Sequence, residues 1–290
     1  MQCDTVSKAI NLFINDRMLL GCTDETIRSY IYFLGQFKKW LVSDDIELLN
    51  LDIFNAYTMY LLKKDITRTT VITYLTHIRA FYHFLDDNDI CNNNLSKIRL
   101  PRKHKNVIDI LSDNEVKRLL LAVSGTDFLS VRNRLIIYCM LDCGFRRSDI
   151  INLKTENIKD NHFIVTGKGA KERIIPYGEN VGSLIQEYKQ FKFYGEYFFT
   201  MKDGKHITKN TIKMLFQRLK VETGIKRLKA HLLRHTFATN YLCNGGNLEM
   251  LRLIMGHTDI KTTQIYLHLA ETKKLLEKAH ISYLDKLESR

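Results

Sequence analysis

Only two prolines occur in 290 residues, Pro101 and Pro176, so the first hundred residues can run as uninterrupted helices. Apolar residues there recur at three- and four-residue spacing, through Val6, Ile10, Phe13 and Ile14, then through Ile27, Ile31, Leu34, Phe37 and Trp40. Thr23, followed by Asp24 and Glu25, is placed to cap the second helix. A third run follows Asp52; a fourth begins near Thr67 and ends at the acidic, Asn-rich stretch from Asp86 to Asn94. Four helices are predicted.

Pro101 sits in IRLPRKHKNVID, residues 98–109, which holds five basic side chains including His104 and no acidic residue until Asp109. Residues 98–110 therefore read as a basic linker between a helical domain (1–97) and a second domain (111–290). It is either a strap along a phosphate backbone or a solvated tether. Beyond it, Ser112 and Glu115 have the spacing of a capping box, and another helix runs from Arg132 to Cys143 and stops at Gly144. HFIVT and ERIIPY have the β-branched content of two short strands joined across GKGAK. Helices then return, with stops at Gly224, Gly245/Gly246 and Gly256. The expected fold is mainly α, in two domains, with one small sheet.

A net charge of +12 and a pI of about 9.3 favour a polyanionic partner without choosing between nucleic acid and a membrane surface. Residues 1–100 carry 11 Lys/Arg against 12 Asp/Glu, and the rest carry 33 against 20, so the polyanion signal belongs to the second part. In the first part it must come from a local cluster, with Lys38/Lys39, Lys63/Lys64, Arg28, Arg68 and Arg79 available. The cysteines at 3, 22, 91, 139, 143 and 243 form no CxxC pair and read as reduced thiols. Asp4 and Asp16 interrupt any leader-like apolar run, and the stretch from Leu135 to Leu141 is too short to span a bilayer. A cytoplasmic protein with no membrane role is expected.

Chemistry concentrates in four segments: Arg146 in GFRRSD, Lys168 in GKGAKER, His231 and Arg234 in AHLLRHTFAT, and His257 with Tyr266 in GHTDIKTTQIY. A lone nucleophile among cations suits attack on a phosphodiester, which needs help at the attacking oxygen, the non-bridging oxygens and the departing 5′-oxygen. Guanidinium groups fork onto phosphate oxygens, but on charge alone Arg147 competes with Arg146, and Lys171 with Lys168 as proton donor to the leaving group. His231 and Arg234, three apart, share a helix face, whereas His235 reads as structural or solvent-facing. A phenol ionises near pH 10 and needs a base or a cationic field, from His231 or His257. With no carboxylate cluster of two-metal type and no Walker loop, neither metal nor nucleotide cofactor is called for.

These segments, in this order, resemble those of the tyrosine recombinases, the family of Xer recombinases and phage integrases, and the likeness covers nearly the whole chain. The resemblance selects Arg146, Lys168, His231, Arg234, His257 and Tyr266 as the catalytic set and Asp149 as its brace. It implies a helical core-DNA-binding domain and a catalytic domain closing as a C-shaped clamp on duplex DNA. Lower-ranked DNA contacts are Arg28, Arg68, Arg79, Arg102, Lys103 and Lys171. It also implies a 3′-phosphotyrosyl intermediate and a Holliday junction made by a homo-tetramer on inverted-repeat core sites, with an accessory or partner recombinase possible. The biological task would be integration or excision of a mobile element, or dimer resolution. Residues 271–290, with Leu276, Ala279, Tyr283 and Leu287 at helical spacing, read as an exchange helix that docks on a neighbour or packs on its own chain. A monomeric type IB topoisomerase and a non-catalytic DNA-binding regulator are the rival readings.

Overall fold

The structure, a computed structural model, describes residues 3–91, 98–101, 108–167, 171–191 and 195–277, the side chains as far as 275. The chain divides into two units, residues 1–106 and 107–290.

The first unit contains α1 (Val6–Leu19), α2 (Asp24–Trp40), α3 (Leu51–Lys63) and α4 (Arg68–Asp87). Each starts at a side-chain cap. Thr5, Thr23, Asn50 and Thr67 accept from the backbone N–H groups of Lys8, Thr26, Ile53 and Thr70, satisfying donors the first turn leaves free. α2 also carries Asp24 and Glu25 in its first turn and Lys38 and Lys39 in its last, matching the helix dipole at both ends. α4 is the central element and packs against the other three. Its Leu75, Ile78, Phe81, Tyr82 and Leu85 are fully buried, each stabilising the unit by roughly 1.5–3 kcal/mol relative to exposure. Phe13 meets Phe81, Phe84 and Tyr30 edge-on at 4.9–5.7 Å, so aromatic packing joins α1 to α2 and α4.

The second unit runs α5 (Asp113–Leu121), α6 (Phe128–Asp142), α7 (Arg147–Asn152), β1 (His162–Thr166), β2 (Glu172–Pro176), α8 (Glu179–Lys189), α9 (Lys209–Thr223), α10 (Ala230–Cys243), α11 (Leu248–Met255) and α12 (Lys261–Glu277). The Ser112/Glu115 capping box is formed in both directions at the start of α5. α6 packs against α8 and α10 and buries residues on every side, including Val131, Leu135, Ile136, Ile137, Cys139 and Met140, as a helix at the centre of a unit must. It begins at Phe128 rather than Arg132, because Asp127 caps it by accepting from the N–H groups of Leu129 and Ser130. β1 and β2 pair antiparallel with Val165 opposite Arg173 and Phe163 opposite Ile175, and β2 packs against α11.

Residues 271–277 are not the start of a separate element. They continue α12, which already contains Tyr266, and Ala279, Tyr283 and Leu287 lie outside the described residues. Among the described residues no helix is long and apolar enough to cross a membrane.

Candidate active site

Two glycines shape the floor of the site. Gly144 ends α6 at φ +66° and Gly256 ends α11 at φ +60°, a left-handed conformation that disfavours side chains. Space is short as well: a Cβ on Gly144 would come within 2.4 Å of the Phe237 ring, and one on Gly256 within 2.9 Å of Arg173 Cδ. These turns present the carbonyls of Gly144, Met255 and Gly256 to the arginines.

Arg146 Nη2 donates to Met255 O at 2.6 Å and to Gly256 O at 3.2 Å. Arg234 Nη2 donates to the same Met255 O at 2.5 Å, and its Nη1 donates to Gly144 O. Two guanidinium groups thus meet at one oxygen. A third, Arg173 on β2, donates from Nη2 to Asp149 Oδ2, the oxygen that also accepts the Arg146 backbone N–H at 2.7 Å. Asp149 is the one carboxylate bonded to any of the three among the described residues, so the cluster holds a surplus of positive charge in a largely buried place. Burial, then the neighbouring Arg146, pulls Arg234 down to about 9; burial and Arg173 also lower Arg146. A cluster whose members disfavour each other's charge is stabilised by an anion placed among them.

Arg147, the rival of Arg146, is exposed, because α7 begins at that residue and turns it outward. His257 follows Gly256, and its Nδ1 lies 2.9 Å from the buried Thr263 Oγ1. His231 is exposed near the start of α10, and partial burial, then Arg234, lowers its pKa.

Tyr266 is buried at 3% exposure where α12 packs on α10. Burial raises its phenol pKa while Arg234 and Arg146 pull it back. Its hydroxyl partner is neither His231 nor His257. It is His235, with Nδ1 2.8 Å from the phenol oxygen. The solvent-facing alternative for His235 is therefore corrected: 231 and 235 are four apart and share a helical face, and α12 packs on α10 there. Sequence reasoning also passed over Arg173. Strand periodicity would have marked it, since it shares the inward face of β2 with Ile175 and is a charged residue in an apolar row.

Lys168, Arg102 and Lys103 lie outside the described residues. Lys171, Arg28 and Arg68 are exposed and Arg79 is half-buried. The described residues contain no cluster of His, Cys, Asp or Glu arranged to hold a metal, and all six cysteines are free thiols.

The histidines give the site a pH signature. His235 and His257 are each pulled down to about 4, chiefly by burial, with His231 and Arg234 respectively as the next cause. An unfolded histidine titrates near 6.5. Between these values the unfolded chain binds more protons, so stability is present above about pH 6.5 and is lost as pH falls towards 4. We expect the urea midpoint to drop between pH 7.5 and pH 5.0 in the native chain, and a His235→Gln/His257→Gln double variant to flatten the drop. An equally steep drop in the variant would place the titration elsewhere.

The phage integrase family model matches residues 109–273. Tyrosine recombinase XerD of Oceanobacillus iheyensis is 32% identical, the match covering 92% of this chain and 94% of that protein. XerD of Shewanella oneidensis is 29% identical with 94% of each covered. Among solved structures, the Tn1549 transposon integrase in complex with a circular intermediate DNA matches with a TM-score of 0.75 at 18% identity, covering 99% of this chain and all of that one. A lambda integrase dimer bound to a COC' core site matches at 0.75 and 15% identity, covering 90% and 95%. At these identities the two structures speak to the fold.

Proposed function

We propose, because the chain belongs to the phage integrase family, that it is a site-specific DNA recombinase acting through a covalent phosphotyrosine. The observation that carries the chemistry is the meeting of Arg146 and Arg234 at Met255 O, in a place where both act electrostatically on the buried Tyr266. A scissile phosphate seated there would take one guanidinium on each non-bridging oxygen, neutralising the charge that builds in the transition state. Tyr266 Oη attacks phosphorus, its proton passes to an adjacent imidazole, and the 5′-oxygen leaves with a proton from Lys168. The product is a 3′-phosphotyrosyl bond and a free 5′-hydroxyl. That hydroxyl on a partner duplex then attacks the phosphotyrosine and releases the enzyme. Bond energy is kept in the ester, so rejoining needs no nucleotide. His231 and His257 flank the phosphate, and Asp149 holds the Arg146 backbone.

The transposon integrase and the lambda integrase are solved in complex with DNA, and this chain's basic second part supports duplex DNA as its own substrate. The complete set of reactive residues disfavours a regulator without activity. Trapping the chain on a nicked suicide duplex tests the reading: an adduct supports it and none refutes it.

We propose further that protomers assemble on inverted-repeat sites through their C-terminal segments. The support is an apolar groove of about 690 Å³ lined by Ile164, Ile174, Pro176, Tyr241, Met250 and Leu253. Ile174, Met250 and Leu253 in it are 48–63% exposed, an apolar face open to a partner segment. Deleting residues 278–290 leaves α12 and Tyr266 in place. The shortened protein is expected to bind one half-site with native affinity and to lose cooperative occupancy of a full site in gel shifts. Unchanged cooperativity would remove the tail from the assembly and favour the monomeric topoisomerase reading.

A further inference from the structure

Arg173 stands on β2 and is bonded to two other parts of the site. Its Nη2 engages Asp149 on α7 in an ion pair whose side chains are 9% and 3% exposed. Its Nε donates to Ile254 O at 3.0 Å, at the end of α11. Its Cδ fills the space beside Gly256 where a side chain would otherwise begin. The next two carbonyls along the chain, Met255 O and Gly256 O, accept from Arg146, and Met255 O also accepts from Arg234. The carboxylate that fixes the Arg146 backbone is the one Arg173 grips. One planar group therefore ties β2, α7 and the turn before His257 together.

The remaining nitrogen completes the case. Arg173 Nη1 is buried and has no hydrogen-bond partner among the described residues. It lies 3.4 Å from the point a Cβ on Gly167 would occupy. A lysine at this position would keep the charge and could reach Asp149. It could not hold Asp149 and Ile254 O in one plane.

We propose that Arg173 is a positioning residue for the phosphate pocket: it sets where Arg146 and Arg234 stand without itself touching the substrate. This rests on the reading of those two arginines as the groups that neutralise the non-bridging oxygens. A misplacement of about 1 Å costs on the order of 100-fold in rate.

The test compares single-turnover cleavage by R173K and R173Q on two suicide duplexes, one with the natural scissile phosphate and one with a methylphosphonate there. The methylphosphonate lacks the negative charge the arginines neutralise. On the natural duplex both variants are expected to cleave about 100-fold more slowly with unchanged DNA affinity; on the methylphosphonate the loss shrinks below about tenfold. Equal losses on both duplexes, or R173K at the native rate, would overturn the proposal. If R173Q does not fold, R173K alone decides. R146A is measured beside them. If R146A itself loses equally on both duplexes, the reading of the pocket has failed; if R146A shows the contrast and R173K does not, only the assignment of Arg173 has.

Discussion

Replacing Tyr266 by Phe is expected to abolish the covalent protein–DNA adduct completely while leaving DNA affinity within about twofold, because phosphate contacts dominate such interfaces and one hydroxyl adds little. Stability should change by no more than about 1–2 kcal/mol. The lost hydrogen bond to His235 Nδ1 has a net worth near 1 kcal/mol, and the ring keeps its buried packing. Adduct formation on a nicked suicide duplex, read on a denaturing gel, checks the first part, and urea unfolding checks the second. A Phe variant that still forms adduct would mean that another tyrosine attacks.

The second large effect is expected at Arg234. Its side chain is buried at 4% exposure, donates to two backbone carbonyls and, among the described residues, has no carboxylate bonded to it. Arg234→Met removes a cation whose burial costs several kcal/mol, and takes the donor from Gly144 O at about 1–3 kcal/mol, while Met255 O keeps its bond from Arg146. The two terms oppose, so the net change in stability should stay within about 2 kcal/mol. Catalysis has no such offset: the charge facing the phosphate is gone, and single-turnover cleavage should fall on the order of 1,000-fold or more. Measuring both on one preparation separates the roles. A variant destabilised by well over 3 kcal/mol, or one that cleaves at a tenth of the native rate, would make Arg234 a structural residue.

Much of this architecture could be read from local chemistry. Thr23, Thr67 and Ser112 cap helices because each precedes a periodic apolar run and has a short side chain that accepts from the third residue on. Gly144 and Gly256 end helices where nothing larger fits. Features that depend on packing between distant segments were less legible. The N-terminus of α6 lay at Phe128 because Asp127 outcompetes the later start suggested by periodicity. The partnership of His235 with Tyr266 depends on how α12 crosses α10, which no local pattern specifies. Arg173 shares a strand face with Ile175, a local signal, but its bonds to Asp149 and to Ile254 O depend on how β2 packs against α7 and α11. The carbonyl of Met255, at which two arginines meet, carries no sequence signal at all.

The most direct test of the central claim is to identify the bond. The native chain would be incubated with a nicked suicide duplex in EDTA and without nucleotide, the adduct digested, and the modified peptide sequenced by mass spectrometry. The expected result is a 3′-phosphate esterified to Tyr266. A 5′-linked adduct, a modified residue other than Tyr266, or an adduct that forms only when Mg²⁺ is restored would contradict it.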